Sequence, residues 1–410
     1  MNPQLTRLHP YPFERLRHLF TGVKGNPNHS PISLGIGEPR HATPPLIIEA
    51  LKTHTGELAA YPSTAGSPEL RQTVSHWLKR RYAVDVNPDT QVLPVNGSRE
   101  ALFAFAQTVL DGNPQSTVLS PNPFYQIYEG AAILGNARIH YAPSLPDKNF
   151  AIDWDSVTED IWQSTRLLFV CSPGNPTGAV MPLEEWQKLF ALSDKHGFVI
   201  ASDECYSEIY FGQSAPLGGL QAAVLSGRAD FKQLVCFTSL SKRSNVPGLR
   251  SGFVAGDANL IAPFLRFRTY HGSAMSSVVQ RASIAAWGDE AHVAVNRELY
   301  RQKFARVTPM LAEVTDVVLP DAGFYLWCGV PPSADGRPGD DVAAALALLA
   351  QYNVAVLPGS FLGREAHGSN PGAGRLRLAL VAGVDECVEA ASRIVSHFRS
   401  APSLPSKAPA

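Results

Sequence analysis

Long hydrophobic runs are missing from this sequence. No stretch approaches the roughly 18 to 20 apolar residues that a membrane-crossing helix requires. The opening "MNPQLTRLHPYPFERLRHLF" lacks the apolar core of a secretory signal. Cysteine is scarce as well. Cys171, Cys205, Cys236, Cys328 and Cys387 are odd in number, widely spaced and free of any CxxC pair, so neither a disulfide framework nor a zinc site is indicated. An excess of one charge is also absent: 35 basic against 36 acidic residues leave a formal net charge of -1. Partners that need a cationic face, nucleic acids and acidic lipid surfaces, are thereby disfavoured. These absences predict a reduced, cytoplasmic, soluble protein with no nucleic-acid, membrane or metal partner. What is present suits that reading, since a hydrophobic content of 45% over 410 residues supplies the cores of two or three domains.

Short β-rich runs alternate with helical patterns. Strands are expected over residues 117–120, 167–171, 198–202, 234–238 and 252–255, and helices over 98–110 and 183–197. Strands separated by helices of about 10–15 residues predict βαβ units and a mainly parallel sheet. The near-continuous apolar strand cores predict helices on both faces. The expected fold is therefore α/β, a three-layer αβα large domain, followed by a smaller α+β domain. That smaller unit begins after residue 274 with long helical patterns and continues through "DVVLP", "FYLWCGV", "VAVLPG" and "RLRLAL". The boundaries read as 1–44 for a segment packing on the small domain, 45–284 for the large domain and 285–399 for the small one. Residues 400–410, "SAPSLPSKAPA", read as a disordered tail.

Open α/β sheets bind ligands at the carboxyl ends of their strands, and three such ends carry polar clusters here. "SPGNPTG" follows the strand "LLFVC"; alone it is a turn, but in this position Asn175 offers an amide from a rigid loop. "VIASDECYSEIY" ends a strand at Asp203, with Tyr206 three residues on. An aspartate there is often a helix cap; buried in a cleft, it needs a cationic partner. "SLSKRSNVPGLR" sets Lys242, one of ten lysines, beside Ser239 and Ser241. Lost hydration at a sheet edge lowers an amine's pKa and makes it nucleophilic. Arg250 brings a planar fork suited to phosphate, and "NGSREAL" opens a helix whose free N–H groups favour an anion. "GIGEPR" lacks the third glycine of a dinucleotide turn and runs into proline. A phosphate cradle, a carboxylate, a phenol, an amide and a nucleophilic lysine together suit pyridoxal phosphate.

In these motifs and others the sequence resembles the fold-type I, class I/II aminotransferases, which use that cofactor. The likeness runs from "LGIGEP" through "YPSTAGSPELR", "NGSREAL", "NPFYQIYEG", "SPGNPTG" and "SDECYSEIY" to "SLSKRSNVPGLRSG" and "RLRLAL". It implies that Lys242 forms the imine with the cofactor and, once displaced, acts as general base. Asp203 would face the pyridine nitrogen and keep it protonated. Tyr206 and Asn175 would hydrogen-bond the phenolate oxygen, and Tyr125 would stack on the ring. Ser239, Arg250 and the backbone of Gly97, Ser98 and Arg99 would hold the phosphate. Tyr61 would reach the phosphate of a neighbouring subunit, which implies a homodimer with shared active sites. Arg377 would clamp the substrate α-carboxylate, with Gly37 on the other side. Arg375 competes for that role, because residues two apart on a strand share a face.

"SLSKRSNVPGLRSGFVAGD" and "FRTYHGSAMSSVVQ" are most similar to bacterial succinyldiaminopimelate aminotransferases of lysine biosynthesis. That likeness implies a ping-pong transaminase taking its amino group from glutamate and passing it to N-succinyl-2-amino-6-oxopimelate. Both partners carry a carboxylate beyond the reacting centre, so a second cation is expected in the distal pocket, Arg268 first and Arg40 second. The glycine-rich "PGSFLGREAHGSNPGAG" reads as a mobile loop over the pocket. The alternatives are another aminotransferase, for aspartate, alanine or aromatic substrates, or a C–S lyase using the same cofactor. A non-catalytic sensor is disfavoured by the lysine and by the lack of room for a DNA-binding domain before Leu34.

Overall fold

A computed structural model describes residues 1–332 and 337–400 of the chain. In chain order its strands are β1 (Ile32–Ser33), β2 (Val92–Val95), β3 (Thr117–Asn122), β4 (Arg138–Pro143), β5 (Thr165–Cys171), β6 (Val199–Asp203) and β7 (Leu234–Ser239). They continue as β8 (Gly252–Gly256), β9 (Tyr325–Gly329), β10 (Val354–Ala355), β11 (Leu357–Pro358) and β12 (Arg375–Ala379). Seven of them form one sheet in the order β2-β8-β7-β6-β5-β3-β4. β8 runs antiparallel to both neighbours, and the other pairs are parallel.

The five strands expected in the large unit are present to within two residues. The two that apolar patterning does not mark, β2 and β4, are the sheet's edges. β2 contains Pro94, which an edge tolerates because it need not donate on both sides. β4 mixes polar and apolar residues, only Ala142 of which is fully buried, and so lacks a continuous apolar core. In the sheet's interior, successive side chains leave on opposite faces. Leu168, Val170, Ile200 and Cys236 join Trp77, Trp186 and Trp287 on one side. Leu167, Phe169, Ala201, Val235 and Phe237 join Phe105 and Phe264 on the other. That alternation is what makes three layers.

The boundary expected at 284/285 falls inside the helix Ser277–Gly288, which stays with the large unit because Trp287 packs on Trp77 at 4.8 Å and on Phe253 at 5.1 Å. The helix Ala291–Ala312 begins the second unit and contributes Tyr300, Phe304, Val307 and Leu311 to a separate core. That unit holds the antiparallel sheet β11-β12-β9. Ile32 and Ser33 pair in parallel with Val354 and Ala355, so the amino-terminal segment is sewn onto it. "DVVLP" is not a strand: at Gly329 the outer edge of β9 is met by the Asp316 carboxylate, 2.5 Å from the backbone nitrogen, instead of by a second backbone. The last helix runs Val384–Ser400, and the remainder of the tail lies outside the described residues. No described helix is long and apolar enough to cross a membrane.

Candidate active site

The parallel strands deliver their polar ends to one edge. Cys171 of β5, Asp203 of β6 and Phe237 of β7 are register partners, so the loops that follow start level with one another. Asn175 lies four residues past β5, Asp203 closes β6, and Lys242 sits in the short helix Leu240–Arg243 directly after β7. Residues 35–38 and β12 approach from the second unit. Between them is a cavity of about 510 Å³ that Lys242, Asp203, Tyr206, Asn175 and Arg377 all line.

Lys242 Nζ donates to the Gly37 carbonyl at 2.6 Å. Burial lowers this amine to about 8; Cys205 opposes the shift and the Arg377 charge adds to it. A Cβ on Gly37 would fall 2.0 Å from the Tyr325 hydroxyl, so glycine is what lets that carbonyl reach the amine. Asp203 is 4% exposed. Burial raises its pKa, while hydrogen bonds from Cys205 and Tyr128 and the Lys242 charge pull it back. The Tyr128 hydroxyl donates to Asp203 Oδ2 at 3.0 Å. Tyr206 and Tyr325 share a hydroxyl–hydroxyl hydrogen bond of 3.0 Å.

Arg377 is 2% exposed. Its Nη1 donates to Asn175 Oδ1 and its Nη2 to the Gly35 carbonyl, both at 3.0 Å, whereas its buried Nε has no partner. None of these contacts is a carboxylate. Arg375, its sequence competitor, is spent on Asp316 at 2.8 Å.

An anion cradle adjoins the lysine. Gly97 has φ +84, and a Cβ there would sit 2.3 Å from Arg250 Nη2. The helix Ser98–Val109 starts at that point, and its first-turn N–H groups have no intrahelical acceptors. Ser239 Oγ contacts Ser241 Oγ at 2.9 Å and accepts from the Ser241 backbone at 3.1 Å. Ser98 Oγ accepts from Cys205 Sγ at 3.0 Å. Open donors, a guanidinium and no side chain in the way fit a phosphate dianion. Arg99 turns its Nε to the Tyr125 hydroxyl at 2.7 Å, and both side chains line the cavity.

Neither distal-pocket candidate joins the cavity. Arg268 is fully buried, ion-paired with Glu100 and donating to the Ser273 carbonyl at 2.7 Å; its charge is already matched inside the protein. Arg40 is exposed and pairs with Glu386 at 3.2 Å. Tyr61 is wholly exposed and does not line this chain's own cavity. The glycine-rich segment is tethered where a mobile loop was expected: Arg364 forks onto Glu129 at 2.8 and 2.6 Å, and the Leu362 carbonyl accepts from Phe124 N at 3.2 Å. Sequence reasoning missed Tyr11, Tyr128 and Tyr325. Tyr128 lies three residues past Tyr125 in the first turn of the helix Ile127–Leu134, a spacing that puts both on one side. Tyr11 and Tyr325 come from distant segments with no local signal.

Residues 30–394 match the family described as aminotransferase class I and II. The LL-diaminopimelate aminotransferase of Oleidesulfovibrio alaskensis is 32% identical over 398 residues, covering 96% of this chain and 98% of that protein. A solved aminotransferase from Neisseria meningitidis is 56% identical with a TM-score of 0.92, over 97% of this chain and 100% of that one. A probable N-succinyldiaminopimelate aminotransferase from Thermus thermophilus is 26% identical with a TM-score of 0.82, over 94% and 99%. With the cavity, the lysine and the anion cradle arranged as they are, the chain belongs to the class I and II aminotransferases, enzymes that use pyridoxal phosphate to exchange amino groups between amino acids and 2-oxo acids.

Proposed function

We propose that this chain is a transaminase of diaminopimelate biosynthesis, working by a ping-pong cycle in which glutamate donates the amino group. The observation that carries this reading is one cavity holding both a Lys242 amine lowered to about 8 and a buried Arg377 with no carboxylate of its own. Pyridoxal phosphate, when bound, supplies an aldehyde carbon for amine attachment and a protonated ring that takes up the electron pair left at Cα. Gly97, Ser98, Arg99, Ser239 and Arg250 hold its phosphate, and Tyr61 of the partner subunit completes that cradle in a cytoplasmic homodimer. Asp203 would meet the ring nitrogen, Tyr206 and Asn175 the phenolate oxygen, and Tyr125 the ring's face. Arg377 exchanges its Asn175 and Gly35 partners for the two oxygens of the substrate α-carboxylate, with Gly37 beside it. Lys242 Nζ, available as a neutral amine, moves the proton at the substrate Cα.

With Arg268 engaged by Glu100, the cation left to meet a distal carboxylate is Arg99, whose guanidinium lines the cavity beside Tyr11 and Tyr125. The acceptor read from the sequence is N-succinyl-2-amino-6-oxopimelate, the class for which the Thermus relative is named. Unsuccinylated LL-diaminopimelate is the second reading, favoured by the name that relatives 32% and 33% identical carry. A half-reaction screen tests both: single amino acids are added to holoenzyme and conversion of the aldehyde to the amine form is followed by absorbance. Conversion by glutamate and by N-succinyl-LL-diaminopimelate supports the first reading, and conversion by glutamate and LL-diaminopimelate alone supports the second. Conversion by aspartate, alanine or phenylalanine, with neither diaminopimelate reacting, overturns the pathway assignment.

A further inference from the structure

The helix Ala291–Ala312 carries a lysine that the chemistry above does not use. Lys303 is 0% exposed, and its two hydrogen-bond partners are the Leu380 carbonyl at 3.0 Å and His41 Nε2 at 2.6 Å. An ammonium only donates, so His41 Nε2 accepts and the ring proton sits on Nδ1. That nitrogen lies 2.8 Å from Asn296 Oδ1, which it feeds as a donor. Asn296 Nδ2 then faces two carbonyls, those of Lys242 at 3.1 Å and Arg243 at 3.3 Å. Asn245 Nδ2 donates to the same Asn296 oxygen at 3.0 Å, which leaves the amide one orientation. The links Lys303 to His41, His41 to Asn296 and Asn296 to the Lys242 carbonyl all donate in one direction, while Lys303 also donates to the Leu380 carbonyl.

The geometry follows from the helix. Asn296 and Lys303 are seven residues apart, two turns along one face, and His41 spans the gap with its ring 4.8 Å from Tyr300. The helix bearing Lys242 has only four residues, and its final carbonyls lack intrahelical donors; the Asn296 amide supplies one. At the far end, Leu380 directly follows β12 and stands three residues from Arg377. Burial lowers Lys303 to about 8 against the pull of Cys387 and Glu386. His41 is lowered by burial and by the Lys303 charge, so the pair holds a single positive charge. A packed apolar side chain would fill the site at lower cost, but it would leave His41 without a set tautomer.

We propose that Lys303, acting through His41 and Asn296, is a positioning residue that holds the Lys242 peptide at a set place relative to the strand of Arg377. The proposal rests on the roles given to Lys242 and Arg377 above. The test compares holoenzymes of the wild type, Lys303→Met, Asn296→Leu and the double variant, with His41→Leu replacing Lys303→Met in the cycle should the latter not fold. Readouts are the pH titration of the lysine-bound cofactor absorbance, cofactor retention on dilution, Tm, kcat and KM. Each single variant should shift the titration midpoint and lower kcat by about tenfold or more. The double variant should be within about twofold of the worse single one, because links of one chain do not add. Wild-type titration and kcat with only a lowered Tm, or losses that multiply in the double variant, overturn the proposal. Failure of the underlying reading appears separately, in the wild type alone, as a cofactor that borohydride does not attach to Lys242; that result overturns both.

Discussion

Tyr128 donates its phenol proton to Asp203 Oδ2 across 3.0 Å, while its ring stacks on Phe169 with centroids 4.5 Å apart. The carboxylate that the cofactor's ring nitrogen would meet is therefore held by a residue of the helix Ile127–Leu134. Tyr128→Phe keeps the stack and removes the donor. A hydrogen bond to a charged group contributes about 1.5–3 kcal/mol, so the variant should lose Tm by a few degrees and kcat/KM by about tenfold. Burial already raises the Asp203 pKa and the phenol restrains it. Without that restraint the acid limb of the kcat/KM profile should move to higher pH. An unmoved limb would show that the phenol does not act on Asp203.

Lys242 is lowered by burial to about 8. A neutral amine is what adds to an aldehyde, so the rate at which apo-protein captures pyridoxal phosphate should rise with pH and level off above about 8. A rate still climbing toward the usual lysine range, about 10.4, would remove the amine's special status. The same sign holds for stability. A lysine with a depressed folded pKa costs stability at pH below that value, and the cost disappears as pH rises past the unfolded one.

Arg268 pairs with Glu100 in the interior. Arg268→Ala should destabilise the protein by about 3 kcal/mol, since breaking one half of a buried pair leaves the other charge unmatched. KM for dicarboxylic substrates should stay within about twofold of wild type, with urea midpoints and steady-state kinetics as the measurements. A selective rise in that KM would return Arg268 to the distal pocket.

Arg99 is the counterpart. Its guanidinium reaches the cavity beside Tyr125, so Arg99→Gln should raise KM for glutamate and diaminopimelate-type substrates about tenfold. Alanine, which has no distal carboxylate, should be affected little. Equal changes for both classes would place the distal reader elsewhere.

Tyr61 projects fully into solvent from the segment after Thr55–Ala59. If it serves a second subunit's phosphate cradle, Lys242→Ala and Tyr61→Phe variants, each inactive or weak, should recover part of the wild-type activity after subunit exchange. Mixed samples no more active than the sum of their parents would confine each site to one chain.

Much of this site is legible along the chain because an apolar strand announces its own end. β5, β6 and β7 are buried runs, so the polar residues at or within a few positions of their ends, Asn175, Asp203 and Lys242, came to one edge of the sheet once the strands paired in parallel. The glycines are legible for a similar reason: Gly97 lies where a turn opens a helix and no Cβ fits beside Arg250. What the tertiary structure alone decided is which charges remain free. Arg268 and Arg377 look alike in sequence, yet Glu100, 168 positions from Arg268, neutralises one, while the other meets only an amide and a carbonyl. Tyr325 reaches the site from the second unit, Tyr128 reaches Asp203 across the large unit, and His41 reaches Lys303 across 262 positions, all through tertiary packing. Pairing of that kind depends on distance in space, and local patterning carries no record of it.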